Sequence, residues 1–329
     1  MILSICIPSY NRFEKLNDTI SKITISKSKD FDIVIVDNCS PRRIEDFIDC
    51  SDERIKIYHR EEAVRGERNV NECVKFGDGK YSLLLLDKDV IDGRELEKLI
   101  EILKGHEIAG GYCVINSKND KYEIVDENRV LKFGYLSKHP SGNIYNTNIV
   151  SEFINNETNL IESNSFGFDY CLSYVASKGS MLYYDAPLIS SNLSEPTDTV
   201  EKSLSFSPEK KNVYYFPQNR IDEFRTYLHY LDKLDIGKEE KIKKTEQLYQ
   251  FTINAVSIGY RKIMKNKFIC SHYGHKTKRV FFLEMFKNYL KVKKILFDAD
   301  ISYLPLVDKK KLNTDLYKRI MAKFLRFKN

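Results

Sequence analysis

The chain has no apolar stretch long enough to cross a bilayer. Its strongest run, Leu83 to Leu86, falls far short of the roughly 20 residues a spanning helix needs. The opening Met1 to Pro8 is apolar but has no basic leader and no small-residue cleavage site, so it reads as a first strand rather than a signal peptide. Glycine and proline are sparse, 14 and 8 of 329 residues, which excludes collagen-like or linker-dominated architecture. No CxxC pair occurs, and the seven cysteines, Cys6, Cys39, Cys50, Cys73, Cys113, Cys171 and Cys270, are odd in number and mostly sit in apolar patterns. A reducing cytoplasm is the simplest setting. There is no GxGxxG after a strand, which excludes a dinucleotide oxidoreductase. No glycine-rich phosphate loop with a following arginine lies near the first strand, which argues against a nucleotidyltransferase. Cys270-x-His272-x-x-His275 has no second ligand cluster, so a solvated loop is preferred to a zinc site.

What is present is a globular balance of 42% hydrophobic and 30% charged residues. The net charge of +6 conceals an asymmetry. Residues 210–329 hold 28 Lys and Arg against 12 Asp and Glu, whereas residues 1–209 hold 25 against 35. Two units with different partners are expected, and the basic one suits an anionic surface: a membrane, nucleic acid or a phosphorylated acceptor.

Along the chain, apolar strands alternate with amphipathic helices. Ile2–Ile7 reads as a buried strand. Asn11 is placed to cap a helix whose Phe13, Leu16, Ile20 and Ile23 share one face. Strands at 32–37, 54–59 and 81–86 follow, with a short helix opening at Ser40-Pro41, a helix at 66–76 and another at 93–104. Residues 106–116 read as strand, 120–147 as hairpins, 167–178 as helix and 181–190 as strand. Ser190 to Pro217 reads as a long connection, and three or four helical stretches run from about 218 to 329. The order predicts an α/β fold with a mostly parallel sheet flanked by helices, followed by a mainly helical C-terminal region. The boundary is set at 209/210, with a nucleotide half at about 1–115 and an acceptor half at 116–209.

Ligands of such sheets bind beyond the carboxyl ends of the strands, where Asp37 and the triplet Asp87-Lys88-Asp89 fall. Two carboxylates one residue apart at the end of an apolar strand are natural ligands for Mg²⁺ or Mn²⁺, and such an ion binds a diphosphate. The same pair can also be a solvated turn.

Four ordered blocks add to this: Ser4-Ile5-Cys6-Ile7-Pro8-Ser9-Tyr10-Asn11-Arg12, Ile33-Val34-Ile35-Val36-Asp37-Asn38-Cys39-Ser40, Gly66-Glu67-Arg68-Asn69, and Gly79-Lys80-Tyr81 through Asp87-Lys88-Asp89. Over about residues 1–190 the chain resembles the family 2 glycosyltransferases of bacterial surface-glycan type, whose nucleotide-sugar domain is called GT-A and is Rossmann-like. Departures are Asn38-Cys39 in place of Asp-Gly and Asn71 in place of a glycine.

The resemblance implies roles. Pro8, Tyr10 and Arg12 line the nucleotide pocket with Asn38 and Lys88. Asp37 accepts from the base edge, and Arg68 reaches the base or phosphates. Asp87 contacts ribose or metal, and Asp89 the metal. The family keeps an acidic base at the start of a late helix, and Asp169 in Gly167-Phe168-Asp169-Tyr170 takes that place. The other reading of Asp169 is a charge that complements the helix N-terminus. His139 and Ser141 are expected on the acceptor side, or else in a plain turn. The implied activity is inverting transfer from a nucleoside-diphosphate sugar, with UDP preferred, to a glycan, lipid-linked or glycoprotein hydroxyl, with Mn²⁺ or Mg²⁺. The alternative is a catalytically silent nucleotide-sugar-binding or scaffold protein. In the basic half, 281–290 and 317–327 interleave lysines with apolar residues. That pattern suits an anionic membrane surface, but a helical bundle packed on the first unit or on another subunit is preferred to it. No nucleic-acid motif accompanies the charge.

Overall fold

A computed structural model describes residues 1–135, 138–163, 166–191, 215–274 and 277–314. The chain divides into two units, Met1–Leu193 and Ser194–Asn329. Among the described residues, no helix is long and apolar enough to cross a membrane.

The first unit is built on one sheet ordered β3-β2-β1-β4-β8-β6-β9-β5, with β7 also on β9. Strands β1 (Leu3–Ser9), β2 (Phe31–Asp37), β3 (Ile55–His59) and β4 (Tyr81–Leu84) are mutually parallel. Every residue of β1, β2 and β4 is buried, as expected of parallel strands covered on both faces. Alternate side chains serve different faces. Ile5, Ile7, Ile33, Ile35, Leu83 and Leu85 join the core beneath helix α1 (Phe13–Ile23) and helix α3 (Gly93–Gly105). Cys6, Val34, Val36 and Leu84 are buried outside that cluster. Helix α1 buries Phe13, Leu16, Ile20 and Ile23, the stripe its periodicity requires.

Beyond β4 the sheet changes character. Strand β8 (Asn143–Asn146) enters antiparallel to both β4 and β6 (Gly110–Ile115), while β9 (Met181–Ser190) runs parallel to β6. The short β5 (Val90–Ile91) pairs with the last residues of β9. Helices α5 (Thr147–Asn156) and α6 (Thr158–Ser163) follow β8, and helix α7 (Gly167–Lys178) and β9 have the bounds expected from sequence.

Several expectations differ from the structure. Residues 120–147 do not form hairpins: β7 (Lys121–Val125) pairs with β9, β8 pairs with β4 and β6, and α4 (Arg129–Phe133) lies between them. Local alternation shows that a segment is a strand but not which distant strand it meets. Asn11 does not cap α1; it sits at φ +52° and its N–H donates to Ser40 Oγ at 2.8 Å. The element after Ser40-Pro41 is only a 3₁₀ turn, Ile44–Asp46. The helix at 66–76 is α2 (Gly66–Glu72) followed by a 3₁₀ turn, Cys73–Phe76.

The second unit contains helices Pro217–Lys233, Lys238–Lys265, Lys267–Tyr273 and Lys278–Asp298. Pro217 occupies the first turn, where its missing N–H costs nothing. The three long helices pack on one another around buried tyrosines, and the hydroxyls of two of these are hydrogen-bonded across the bundle. Tyr289 OH meets Ser257 Oγ at 2.5 Å, and Asn288 Nδ2 donates to Tyr260 OH at 2.8 Å. The amphipathic stretch 317–327 and His275 lie outside the described residues.

Gly142 is a tight joint of the first unit, set in the left-handed region of the backbone. It has φ +93°, and a Cβ there would lie 2.5 Å from Cys113 O. Its N–H donates to Leu84 O at 2.9 Å while its carbonyl accepts from Cys113 N at 2.8 Å. Gly142→Ala is expected to destabilise the protein by about 2 kcal/mol or more, read as a lowered urea midpoint at unchanged m-value.

Candidate active site

The carboxyl ends of β1 and β2 lie side by side, with Ser9 opposite Asp37. Pro8 sits in β1 beyond Cys6, the last residue paired to β4, so its missing N–H breaks no ladder bond on that side. Tyr10 follows half exposed. Asp37 is buried, and its carboxylate accepts from Ser40 N at 3.2 Å and from Ser40 Oγ at 2.5 Å. His59 Nδ1 lies 3.1 Å from Asp37 Oδ2, and its Nε2 lies 2.9 Å from Glu45 Oε1. Asn38 binds the backbone of Val64 through both ends of its amide, at 2.8 and 2.9 Å, and so pins the segment leading to α2.

The two carboxylates after β4 have different surroundings. Asp87 accepts from Arg12 Nη1 at 3.1 Å and from Ser9 Oγ at 3.5 Å. Burial raises its pKa, partly offset by the charges of Arg12 and Lys88. Asp89 is fully buried, and its Oδ2 meets His139 Nε2 at 2.5 Å and the Ser141 hydroxyl. Burial pushes Asp89 up, but the hydrogen bonds from His139 and Ser141 outweigh it and hold the carboxyl below its usual range. Asp89 Oδ1 is buried and accepts no hydrogen bond. The Ser191 hydroxyl also faces Asp89 and helps to lower its pKa, but from beyond normal hydrogen-bond range.

His139 and Ser141 therefore meet Asp89. Ser141 Oγ also accepts from Leu86 N at 2.9 Å, so it ties the turn after β4 to the segment before β8. Thr19, which sequence reasoning missed, holds the other side. Its hydroxyl lies 3.0 Å from Asp89 O and 3.4 Å from Asp87 O. A polar residue inside the apolar stripe of α1 was the available signal.

Asp169 lies in the first turn of α7, 2% exposed. Its N–H donates to Phe166 O at 2.8 Å, and its carbonyl accepts from Ser173 Oγ at 2.6 Å. The helix start is fixed against α2, since a Cβ on Gly167 would lie 2.1 Å from Asn71 Nδ2. The ammonium of Lys138 sits 4.6 Å from the Tyr112 ring centroid. Burial lowers the Lys138 pKa, and the negative charge of Asp169 opposes that. The segment 138–141 thus carries one residue in the field of Asp169 and two on Asp89. Arg68 pairs with Glu72 at 2.9 Å and borders a groove of about 300 Å³ with Val36, Tyr58, His59 and Phe76, beside β2 and β3. Among the described residues, no three His, Cys, Asp or Glu side chains form a ready metal cage.

This sheet, with its ligand end at β1, β2 and β4, is a GT-A fold. Residues 4–157, all within the first unit, match the family model described as Glycosyl transferase family 2. The crystal structure of S. aureus TarS 1–349 in complex with UDP-GlcNAc has the same fold, with a TM-score of 0.59 at 13% identity, over 99% of this chain and 92% of that one. An "Uncharacterized glycosyltransferase" of Rickettsia felis is 25% identical over 228 residues, 66% of this chain and 37% of that protein. The putative teichuronic acid biosynthesis glycosyltransferase TuaG of Bacillus subtilis is 27% identical over 105 residues, 31% of this chain and 42% of that one. The chain thus spans well under half the length of these curated relatives.

The bridge at His59 predicts a pH dependence. Donating to both Glu45 and Asp37 requires a doubly protonated ring, and the hydrogen bond to Glu45 leads in raising its pKa above the ordinary 6.5. A raised folded-state pKa contributes stability that is present below about 6.5 and lost as pH rises through the folded value. The urea midpoint should fall across that window in the wild type, and the step should be absent in His59→Asn.

Proposed function

We propose that this chain is an inverting, divalent-metal-dependent glycosyltransferase that moves a sugar from a UDP-sugar to a hydroxyl of a glycan acceptor. The observation that carries this reading is Asp89: a buried carboxylate kept ionised at the end of β4, with one oxygen left without a partner. That oxygen suits a Mg²⁺ or Mn²⁺ ion completed by donor phosphates, since such ions commonly take one or two carboxylates rather than a full protein cage. Asp89 would hold the ion with Asp87, and the bound ion would supply charge neutralisation for the departing diphosphate.

The remaining roles belong to the chain's own residues. Arg12 and Lys88 place positive charge around Asp87, where an anionic donor would come to rest. Tyr10, half exposed beyond β1, is available to stack on a base, with Pro8 and Asn38 shaping the pocket floor and Arg68 at its far side. Asp37 is held to accept from the base edge. Asp169 takes the proton of the acceptor hydroxyl as that oxygen attacks the anomeric carbon opposite the leaving diphosphate, which inverts the configuration. His139 and Ser141 hold Asp89 from the acceptor side. The name of the TuaG relative supports a surface-polysaccharide acceptor, and the ligand of the TarS complex supports UDP. Free thiols at all seven cysteines suit a cytoplasmic site of action.

A thermal-shift series with UDP and UDP-sugars tests the reading. UDP with Mn²⁺ should raise the Tm by mass action. Asp89→Asn should lose the Mn²⁺-dependent part of that shift. Asp169→Asn should keep the shift yet lower transfer by about a hundredfold or more. Wild-type transfer rates in a folded Asp169→Asn variant would remove its assignment as base.

A further inference from the structure

The helix Lys278–Asp298 has two faces of opposite kind. Inward, Phe281, Met285, Tyr289, Val292 and Leu296 are buried, and Asn288 and Tyr289 hydrogen-bond the helix Lys238–Lys265. Outward, Leu283 is 58% exposed, Leu290 45%, Phe286 39% and Phe297 37%. At about 100° per residue, these four side chains fall within an arc of roughly 60°. They form one stripe along a helix about 30 Å long, not scattered single exposures.

The unit's choice of residues sharpens the point. It buries tyrosines that need hydrogen-bond partners, such as Tyr227, Tyr249, Tyr260 and Tyr289, and leaves leucine and phenylalanine in water. Core formation alone favours the opposite arrangement.

Charge identifies the occupant. The helix carries six basic residues, Lys278, Arg279, Lys287, Lys291, Lys293 and Lys294, against Glu284 and Asp298. Lys287, Lys294 and Lys291 follow one edge of the stripe and Lys293 the other. Lys291 reaches Gln218 Oε1 at 3.3 Å, Lys294 lies 4.0 Å from Asp298, and Lys293 and Lys309 sit 5.4 and 4.9 Å from the centroid of the Phe297 ring. Two copies of this face brought together would oppose like charges. An apolar stripe edged by lysines suits an anionic bilayer surface: the leucines and phenylalanines enter the acyl boundary, and the lysine stems lie along it with their ammonium groups at the phosphates.

We propose that the outward face of the helix Lys278–Asp298 docks this protein on an anionic phospholipid membrane, lying in the interface without spanning it. The inference is independent of the donor and acceptor chemistry of the first unit.

Sedimentation of the full-length protein with vesicles tests it. Vesicles of phosphatidylcholine containing phosphatidylglycerol should bind at least about tenfold more tightly than phosphatidylcholine alone, and added salt should weaken that binding. The triple variant Leu283→Ser, Phe286→Ser, Leu290→Ser alters exposed side chains only and should keep the wild-type circular dichroism. It should lose most vesicle binding, as should Lys287→Glu with Lys294→Glu. Vesicle binding by the triple variant equal to wild type would overturn the proposal, as would no binding by the wild type. A concentration-dependent dimer in sedimentation velocity that the triple variant abolishes would also overturn it and give the stripe to a second copy.

Discussion

The placement of Asp89 in a fully buried position constrains everything around it. An ionised carboxylate removed from water costs several kcal/mol unless its oxygens are met. Here one oxygen is met by His139 and Ser141, which arrive from the segment before β8, and the backbone of the same turn is held by Thr19 of α1. Two distant stretches of chain are therefore committed to this one turn, the first to the Asp89 side chain and the second to its backbone. Asp87, two residues earlier, is also buried but is met by Arg12 and Ser9 from the end of β1. One strand end thus presents two carboxyl groups whose titration is driven in opposite directions, Asp87 up and Asp89 down.

The parts of the molecule set by local periodicity were legible in the sequence. The buried stripe of α1 follows from its helical spacing, and the doubly covered strands β1 and β2 from their nearly continuous apolar runs; helix α7 and strand β9 fall at the bounds the sequence indicated. What was not legible depends on contacts between segments far apart. Nothing near His139 announces that it meets a residue fifty positions earlier. Nothing near Lys121 announces β9 as its neighbour. Turn geometry was a third gap: Asn11 was expected as a cap because of its residue type, yet its left-handed backbone turns its N–H to Ser40 instead.

Several of the site residues drawn from the family resemblance have side chains already engaged. Asp37 is tied to Ser40 and His59, Arg12 to Asp87, and Arg68 to Glu72. These pairings fix side chains before any ligand arrives, so less conformational freedom is left to be lost on binding.

The insertion of β8 between β4 and β6 also bears on how the chain acquires its structure during synthesis. Strands β1 to β4 are complete by Leu84, and local collapse of that half can begin early. Asp89, however, has no side-chain partner until His139 and Ser141 emerge, and β6 has no parallel neighbour until β9 follows. The half that carries the strand-end carboxylates therefore cannot bury Asp89 until some fifty further residues have followed. A nascent chain stalled in that interval exposes a sheet edge at β4 that the finished protein never shows.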